Sequence, residues 1–270
     1  MAATPPPTPA ARIEEFRAAI GAHIRVPGVL TYGDEPDVET CWGPWPVTSA
    51  NLIVQPRIAP ADVARRVAEI NTAYAARGNP FAWVLTPATS SPELEAALAQ
   101  GGLQRSTSPE MYAALIAPLP VELPDGVELE PAGDSEELAH TIASGFGFAG
   151  IAGVSDGFSS YLAGVDPTVQ RAVLARDRAT GTPLGVGTLW HLGKTIQLAN
   201  IATVESARGQ GIGMGVTAAL MNLGQDLGAD AAILTASEMG YPVYRKVGFE
   251  TAFELVSYTW NPPSEPSQAE

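Results

Sequence analysis

The sequence predicts an α/β fold built twice, as two related halves in one chain of 270 residues. Three observations predict it. Segments with strand-like apolar alternation interleave with segments of helical spacing. The order of elements in the first half returns in the second. Between the halves, "LIAPLPVELPD" (Leu115–Asp125) carries three prolines, the composition of a linker.

In chain order, helical spacing at Ile13–Ile20 precedes a strand pattern at Ala50–Gln55 and a helix at Ala61–Ala76. A strand at Phe81–Thr86, a helix at Pro92–Gln100 and a strand at Met111–Ile116 complete the first half. Beyond the linker, a helix at Ser135–Ser144 leads to strands at Arg171–Arg176, Leu184–His191 and Thr195–Val204. A helix at Gly213–Leu227, a strand at Ala231–Thr235, a short helix at Pro242–Val247 and a strand at Ala252–Trp260 follow.

The repeat is visible in the letters. "ANLIVQ", helix, "FAWVLTPATS", short helix and "EMYAALI" in the first half answer "ANIATV", helix, "AAILTAS", short helix and "ELVSYTW" in the second. Asn51 to Gly102 spans 51 positions and Asn200 to Gly248 spans 48. Short alanine-rich strands also match by chance, so duplication stands here as an expectation. The expected layout is a disordered lead over 1–11, a first domain over 12–120, a second over 121–262 and a disordered tail over 263–270.

Composition narrows the function classes. A net charge of -14 repels nucleic acid and anionic membranes. Cys41 is the only cysteine, and His23, His140 and His191 are isolated, so neither a disulfide nor a metal site is expected. The first residues, "MAATPPPTPA", have no basic and apolar regions of a secretory signal. No apolar run reaches the ~18 residues of a spanning helix. These exclusions point to a soluble, cytoplasmic protein that binds neither nucleic acid nor membrane.

The sharpest local signal is "RGQGIG", Arg208–Gly213, between a strand and a helix. Glycines reach positive φ and bring no Cβ, so successive amides converge on one anion. The following helix adds unpaired N–H groups and its positive dipole end. The competing reading is a turn for tight strand–helix packing. Spacing excludes a P-loop, because no lysine lies between Gly209 and Val216, and it excludes the Gly-x-Gly-x-x-Gly dinucleotide fingerprint. The matching stretch of the first half, "PRIAPAD", has no glycine.

"VESARGQGIGMGV" resembles the acyl-CoA motif of the GNAT (general N-acetyltransferase) superfamily, and "VYRKVGFE" resembles its Tyr-x-x-x-Gly-Phe element, 36 residues on from Arg208 to Tyr244. The likeness covers about Gly126–Trp260 and is similar to a bacterial branch with an extended N-terminal half. It implies a tandem GNAT-like fold, each half a mixed, mostly antiparallel sheet flanked by helices, with no glycine loop in the first. It also implies an acetyl-CoA cosubstrate, no metal, and transfer to the amine of a small molecule by direct attack in a ternary complex.

By that resemblance, backbone of Ile201, Ala202, Thr203 and Val204 would bind the pantetheine arm, and Arg208, Gly209, Gln210, Gly211, Ile212 and Gly213 the diphosphate. Tyr244 would protonate the departing thiolate, or else is a packed core tyrosine. Many members carry a glutamate near Asn200, whereas no Asp or Glu occurs between Pro183 and Val204 here. Asn200 would orient a water or amine, or serve the fold. Glu238 is a candidate base, Glu205 and His191 are weaker ones, and a relay through water stays open. "GFGFAGIAGVSDGFSSYLAGVDP" (Gly145–Pro167), with Asp156 inside it, falls where the family binds its acceptors. The alternatives are a non-catalytic acyl-CoA-binding module and an unusual biosynthetic reaction on the same scaffold.

Overall fold

The structure, a computed structural model, describes residues 7–33 and 35–263. Residues 1–6 of the expected lead and 264–270 of the expected tail lie outside the described residues. Helix α1 (Pro9–Ile20) starts inside the predicted lead because Thr8 caps it: its hydroxyl accepts from the Ala11 N–H at 3.2 Å, and Pro9 has the fixed φ of a first helical position. Then come β1 (Thr31–Tyr32), β2 (Glu39–Trp42), β3 (Asn51–Val54), α2 (Val63–Ala75), β4 (Phe81–Leu85), α3 (Pro92–Gln100) and β5 (Gln104–Ala114). Beyond the linker run β6 (Val127–Pro131), α4 (Ser135–Phe146), α5 (Val154–Gly164), β7 (Gln170–Asp177), β8 (Pro183–Leu192) and β9 (Thr195–Thr203). The remaining elements are α6 (Ile212–Asp226), β10 (Ala231–Thr235), α7 (Tyr241–Lys246) and β11 (Glu250–Trp260).

Four elements exceed the sequence expectation. β1, β2 and β6 are short, and "VELEP" ends on a proline, so their patterns fall below a readable strand. Helix α5, "VSDGFSSYLAG", is rich in glycine and serine, which lower helix propensity.

The chain forms two compact units that are not contiguous in sequence, in contrast to the expected division at 120/121: residues 1–29 with 108–254, and residues 30–107 with 255–270. In the first unit β6, β7, β8 and β9 pair antiparallel in succession, β10 joins β9 in parallel, and β5 closes the sheet antiparallel to β10. A parallel neighbour needs a crossover, and α6 supplies it. Ile212, Val216, Leu220 and Met221 of α6 bury against Leu189, Ile196 and Leu198. The helix lies close to the sheet because Gly187 of β8 and Gly224 of the helix itself stand at the contact: a Cβ on Gly187 would stand 2.7 Å from Val216 and Leu220, and one on Gly224 2.3 Å from Ile196. Side chains alternate across β10, so Ala232 and Leu234 join that core while Ile233 joins Ile13, Phe16 and Ile20 of α1. Helices α1 and α6 therefore cover opposite faces, and α4 and α5 pack over Leu174, Val186 and Ala202.

The second unit repeats the pairing order. β1, β2 and β3 are antiparallel, β4 joins β3 in parallel, and the end of β11 closes antiparallel to β4. Phe81, Trp83 and Leu85 of β4 pack with Val67, Ile70 and Tyr74 of α2 and Leu94 and Leu98 of α3. The alignment of Asn51 with Asn200, drawn from a shared Ala-Asn, is offset from the pairing. Ala82 faces Leu52 in one parallel pair, and Ala231 faces Thr195 in the other. Gln55 (φ 51°) and Asn200 (φ 53°) are the non-glycine residues at positive φ among those described; Gln55 directly follows its parallel pairing, and Asn200 stands three positions past the last residue of its own. No helix of the described residues is long and apolar enough to cross a membrane.

Candidate functional site: an amide-lined loop beside a splayed strand pair

Strands β9 and β10 touch only at their starts, where Thr195, Ile196 and Gln197 pair with Ala231, Ala232 and Ile233. The cause of the separation is a bulge. Against β8, Ala202 faces Val186 but Ala199 faces Thr188, so an extra residue is inserted, and Asn200 takes the left-handed conformation there. Asparagine tolerates that conformation because its short amide bonds locally. Asn200 Nδ2 donates to Thr188 Oγ1 at 3.0 Å, and that buried hydroxyl donates to the Ala199 carbonyl at 3.0 Å. Past the bulge, β9 has no pairing with β10, and Leu234 and Thr235 pair only with Met111 and Glu110 of β5. Ile201–Thr203, expected to hold an extended ligand arm, lie on this unpaired stretch, and Val204 follows it with its N–H bonded to Leu184.

The loop after β9 has the donor set of an anion site. Gly209 (φ 76°) and Gly211 (φ 91°) both require the left-handed region, and Gly211 stands at the helix start with no side-chain cap. The N–H groups of Gly209, Gln210, Gly211, Ile212 and Gly213 have no partner among the described residues. A Cβ at Gly209 or Gly211 would meet nothing within 4 Å, so the loop is open on that side of each glycine. Five free donors at the positive end of a 15-residue helix fit a diphosphate. Arg208, expected at the diphosphate with the rest of the loop, spends donors on two carbonyls: Nε donates to that of Thr203 at 3.3 Å and Nη2 to that of Gly145 at 2.8 Å. It ties the end of α4 to the end of β9.

Tyr244 on α7 is buried against Phe249, with ring centroids 6.1 Å apart. Gly240 makes room for it, since a Cβ there would come within 2.7–3.1 Å of the ring and hydroxyl. Burial pushes the phenol up to about 12. The hydroxyl has no hydrogen-bond partner among the described residues, so it is free to donate. Glu238 is exposed in the turn between β10 and α7, and Glu205 is exposed on the turn after β9. His191 Nε2 lies 3.0 Å from the Gly193 carbonyl at a strand end.

The expected acceptor segment folds as the end of α4, a loop and α5. Gly145 lies against β9, where a Cβ would stand 2.6 Å from that of Ala202. Phe146 and Phe148 stack beyond it at 6.2 Å, Phe146 being largely exposed. Asp156 is exposed in the first turn of α5.

Two further groups escaped the sequence reading. Thr188 holds the bulge, and nothing in "GVGTLW" marks it. Glu110 is a wholly buried carboxylate on β5, bonded by Arg17 of α1 and Thr235 of β10. These residues lie up to 218 positions apart, beyond the reach of any local motif. Among the described residues, no group of three or more His, Cys, Asp or Glu is placed to hold a metal.

No family model and no curated protein sequence matches the chain. Solved structures do resemble it. A GCN5-related N-acetyltransferase from Kribbella flavida aligns with a TM-score of 0.67 at 22% identity, over 95% of this chain and 96% of that one. A GCN5-related N-acetyltransferase from Sphaerobacter thermophilus gives 0.60 at 15% identity, over 83% and 80%. A tandem GNAT protein from the clavulanic acid biosynthesis pathway gives 0.57 at 15% identity, over 85% and 79%. The chain thus has the fold of the GCN5-related N-acetyltransferases.

Proposed function

We propose that the protein is an acyl-CoA-dependent N-acyltransferase that moves an acetyl group from acetyl-CoA to the amine of a small molecule within a ternary complex. One observation carries this reading: five unbonded amides end a strand that has parted from its neighbour. The loop residues 208–213 would bind the diphosphate, and the free edge of Ile201–Val204 would hydrogen-bond the arm. Acetyl-CoA would supply an acyl group activated as a thioester. In the transfer a C–N bond forms and the C–S bond breaks, so the amine sheds a proton and the sulfur needs one.

The proton shed by the amine balances the one that the sulfur takes up from solvent, and Tyr244 suits the task of stabilising that sulfur as it leaves. A phenol held at about 12 keeps its proton throughout the physiological range. It parts with that proton fully only to a base of similar strength, so its role is a hydrogen bond donated to sulfur as negative charge develops. For the first task, Asn200 is spoken for by the bulge and Thr188, which supports a structural role. Glu238 and a water relay remain as routes for the amine proton. The same absence of a carboxylate favours a second reading, an acyl-CoA-binding module without turnover. Thiol release from acetyl-CoA against a panel of small amines tests the two: release supports the enzyme, and binding without release supports the module.

We also read the chain as an internal duplication, with domains over 12–120 and 121–262 and a first copy that binds no CoA. The shared pairing order and the like registers of Phe81 with Trp260 and Ala231 with Ala114 support it. A cytoplasmic location accords with a CoA cosubstrate.

A further inference from the structure

Arg17, Glu110 and Thr235 form a charge cluster that no step above uses. Arg17 Nε donates to Glu110 Oε1 at 3.0 Å and Nη2 to Oε2 at 2.8 Å. Nη2 also donates to Thr235 Oγ1 at 2.9 Å, and that hydroxyl donates to Glu110 Oε2 at 2.7 Å. Glu110 is wholly buried, and Arg17 shows 17% of its side chain to solvent. Thr235 pairs with Glu110 at the end of β10, past Ile233, the last residue that β9 holds. Strand β10 is therefore supported there by β5 alone.

A buried ion pair adds little net stability, because desolvation offsets the Coulomb gain. Its rigid fork does fix position. We propose that Arg17, Glu110 and Thr235 are positioning residues: they clamp the parted end of β10 at the separation from β9 that the pantetheine arm of CoA needs. Without the clamp, that end would have to be ordered when the arm enters, at the expense of affinity. The diphosphate would not feel the loss, because its amides belong to the loop between β9 and α6, which shares no hydrogen bond with the cluster. The inference rests on the acyl-CoA reading.

Calorimetry with two ligands tests it. CoA carries the arm, and 3′-phosphoadenosine 5′-diphosphate carries the diphosphate without it. Thr235→Val removes one hydroxyl and leaves the Arg17–Glu110 bonds in place. It removes the bond accepted from Arg17 and the bond donated to Glu110, so it should weaken CoA about tenfold or more, and leave the fragment unchanged within about twofold. Thr235→Ser should restore CoA binding. The double variant Arg17→Met with Glu110→Leu replaces the ion pair by apolar volume and should give the same split. Equal weakening of both ligands would reduce the cluster to a structural role and overturn the proposal. So would unchanged CoA affinity in folded variants. A wild-type protein that binds neither ligand would instead overturn the acyl-CoA reading itself, and the clamp with it.

Discussion

Replacing Gly211 by valine separates an anion cradle from a mere turn. Gly211 sits at φ 91°, where a β-branched residue is strained by about 1–3 kcal/mol. A Cβ there touches nothing within 4 Å, so no clash adds to the strain. Against the ~5–15 kcal/mol of a typical domain that loss leaves the protein folded, with a melting point lower by roughly 2–12 °C. Binding should suffer far more. Relief of the strain turns the amides of Gly211 and its neighbours away from their common focus. The loss of two charge-assisted bonds, at about 1.5–3 kcal/mol each, weakens CoA by roughly 10²–10⁴-fold. Circular dichroism establishes the fold and calorimetry the affinity. A folded variant with the wild-type CoA dissociation constant would refute the argument and leave the loop a packing turn.

Tyr244→Phe should lower turnover by about 10²–10³-fold, the loss of one preorganised donor, with little change in acyl-CoA affinity, because the ring keeps its contacts with Gly240 and Phe249; equal turnover would demote it to packing. Calorimetry should find one CoA per chain, since the first half meets the equivalent turn with Pro56 and Pro60, which have no N–H to donate, and two equivalent sites would contradict this. Two acceptors of different amine pKa should give displaced pH–rate profiles; one shared inflection that Glu238→Gln abolishes would make Glu238 the base. Burial raises both Tyr74 and Tyr244, the latter to about 12. Below about pH 10 folded and unfolded chains both hold these protons. Above it the unfolded chain releases them first, so stability falls by roughly 1.4 kcal/mol per pH unit per tyrosine until the folded values are reached. Urea midpoints that stay flat across that range would contradict the assignment.

What the sequence revealed was whatever is local. Arg208–Gly213 and Tyr244–Phe249 are contiguous, and glycine spacing reports backbone need directly. Asn200 stands in the sequence as an amide where an acid is expected, while its φ of 53° makes it the bulged residue of β9. A bulge is a relation between neighbouring strands, so the letters of one strand do not display it. Helix α5 stayed hidden because burial of Val154 and Leu162, and not helix propensity, holds it. Glu110 reads as an ordinary strand carboxylate until α1 brings Arg17 across 93 positions. The compact units depart from the proline segment for a like reason. Proline marks a linker, but strand partners are chosen by surface and register.

That choice of partners sets an order of assembly. The unit formed by residues 30–107 takes its closing strand from β11, which pairs with Phe81–Leu85. On the ribosome, β4 is made more than half the chain before its neighbour exists. Until then its edge offers bare backbone groups to any passing strand, the template from which aggregation begins. A fragment cut at the proline segment would keep that open edge for good. The protein should therefore tolerate neither half expressed alone, and its slow step in refolding should be the return of residues 255–260, a closure of high contact order.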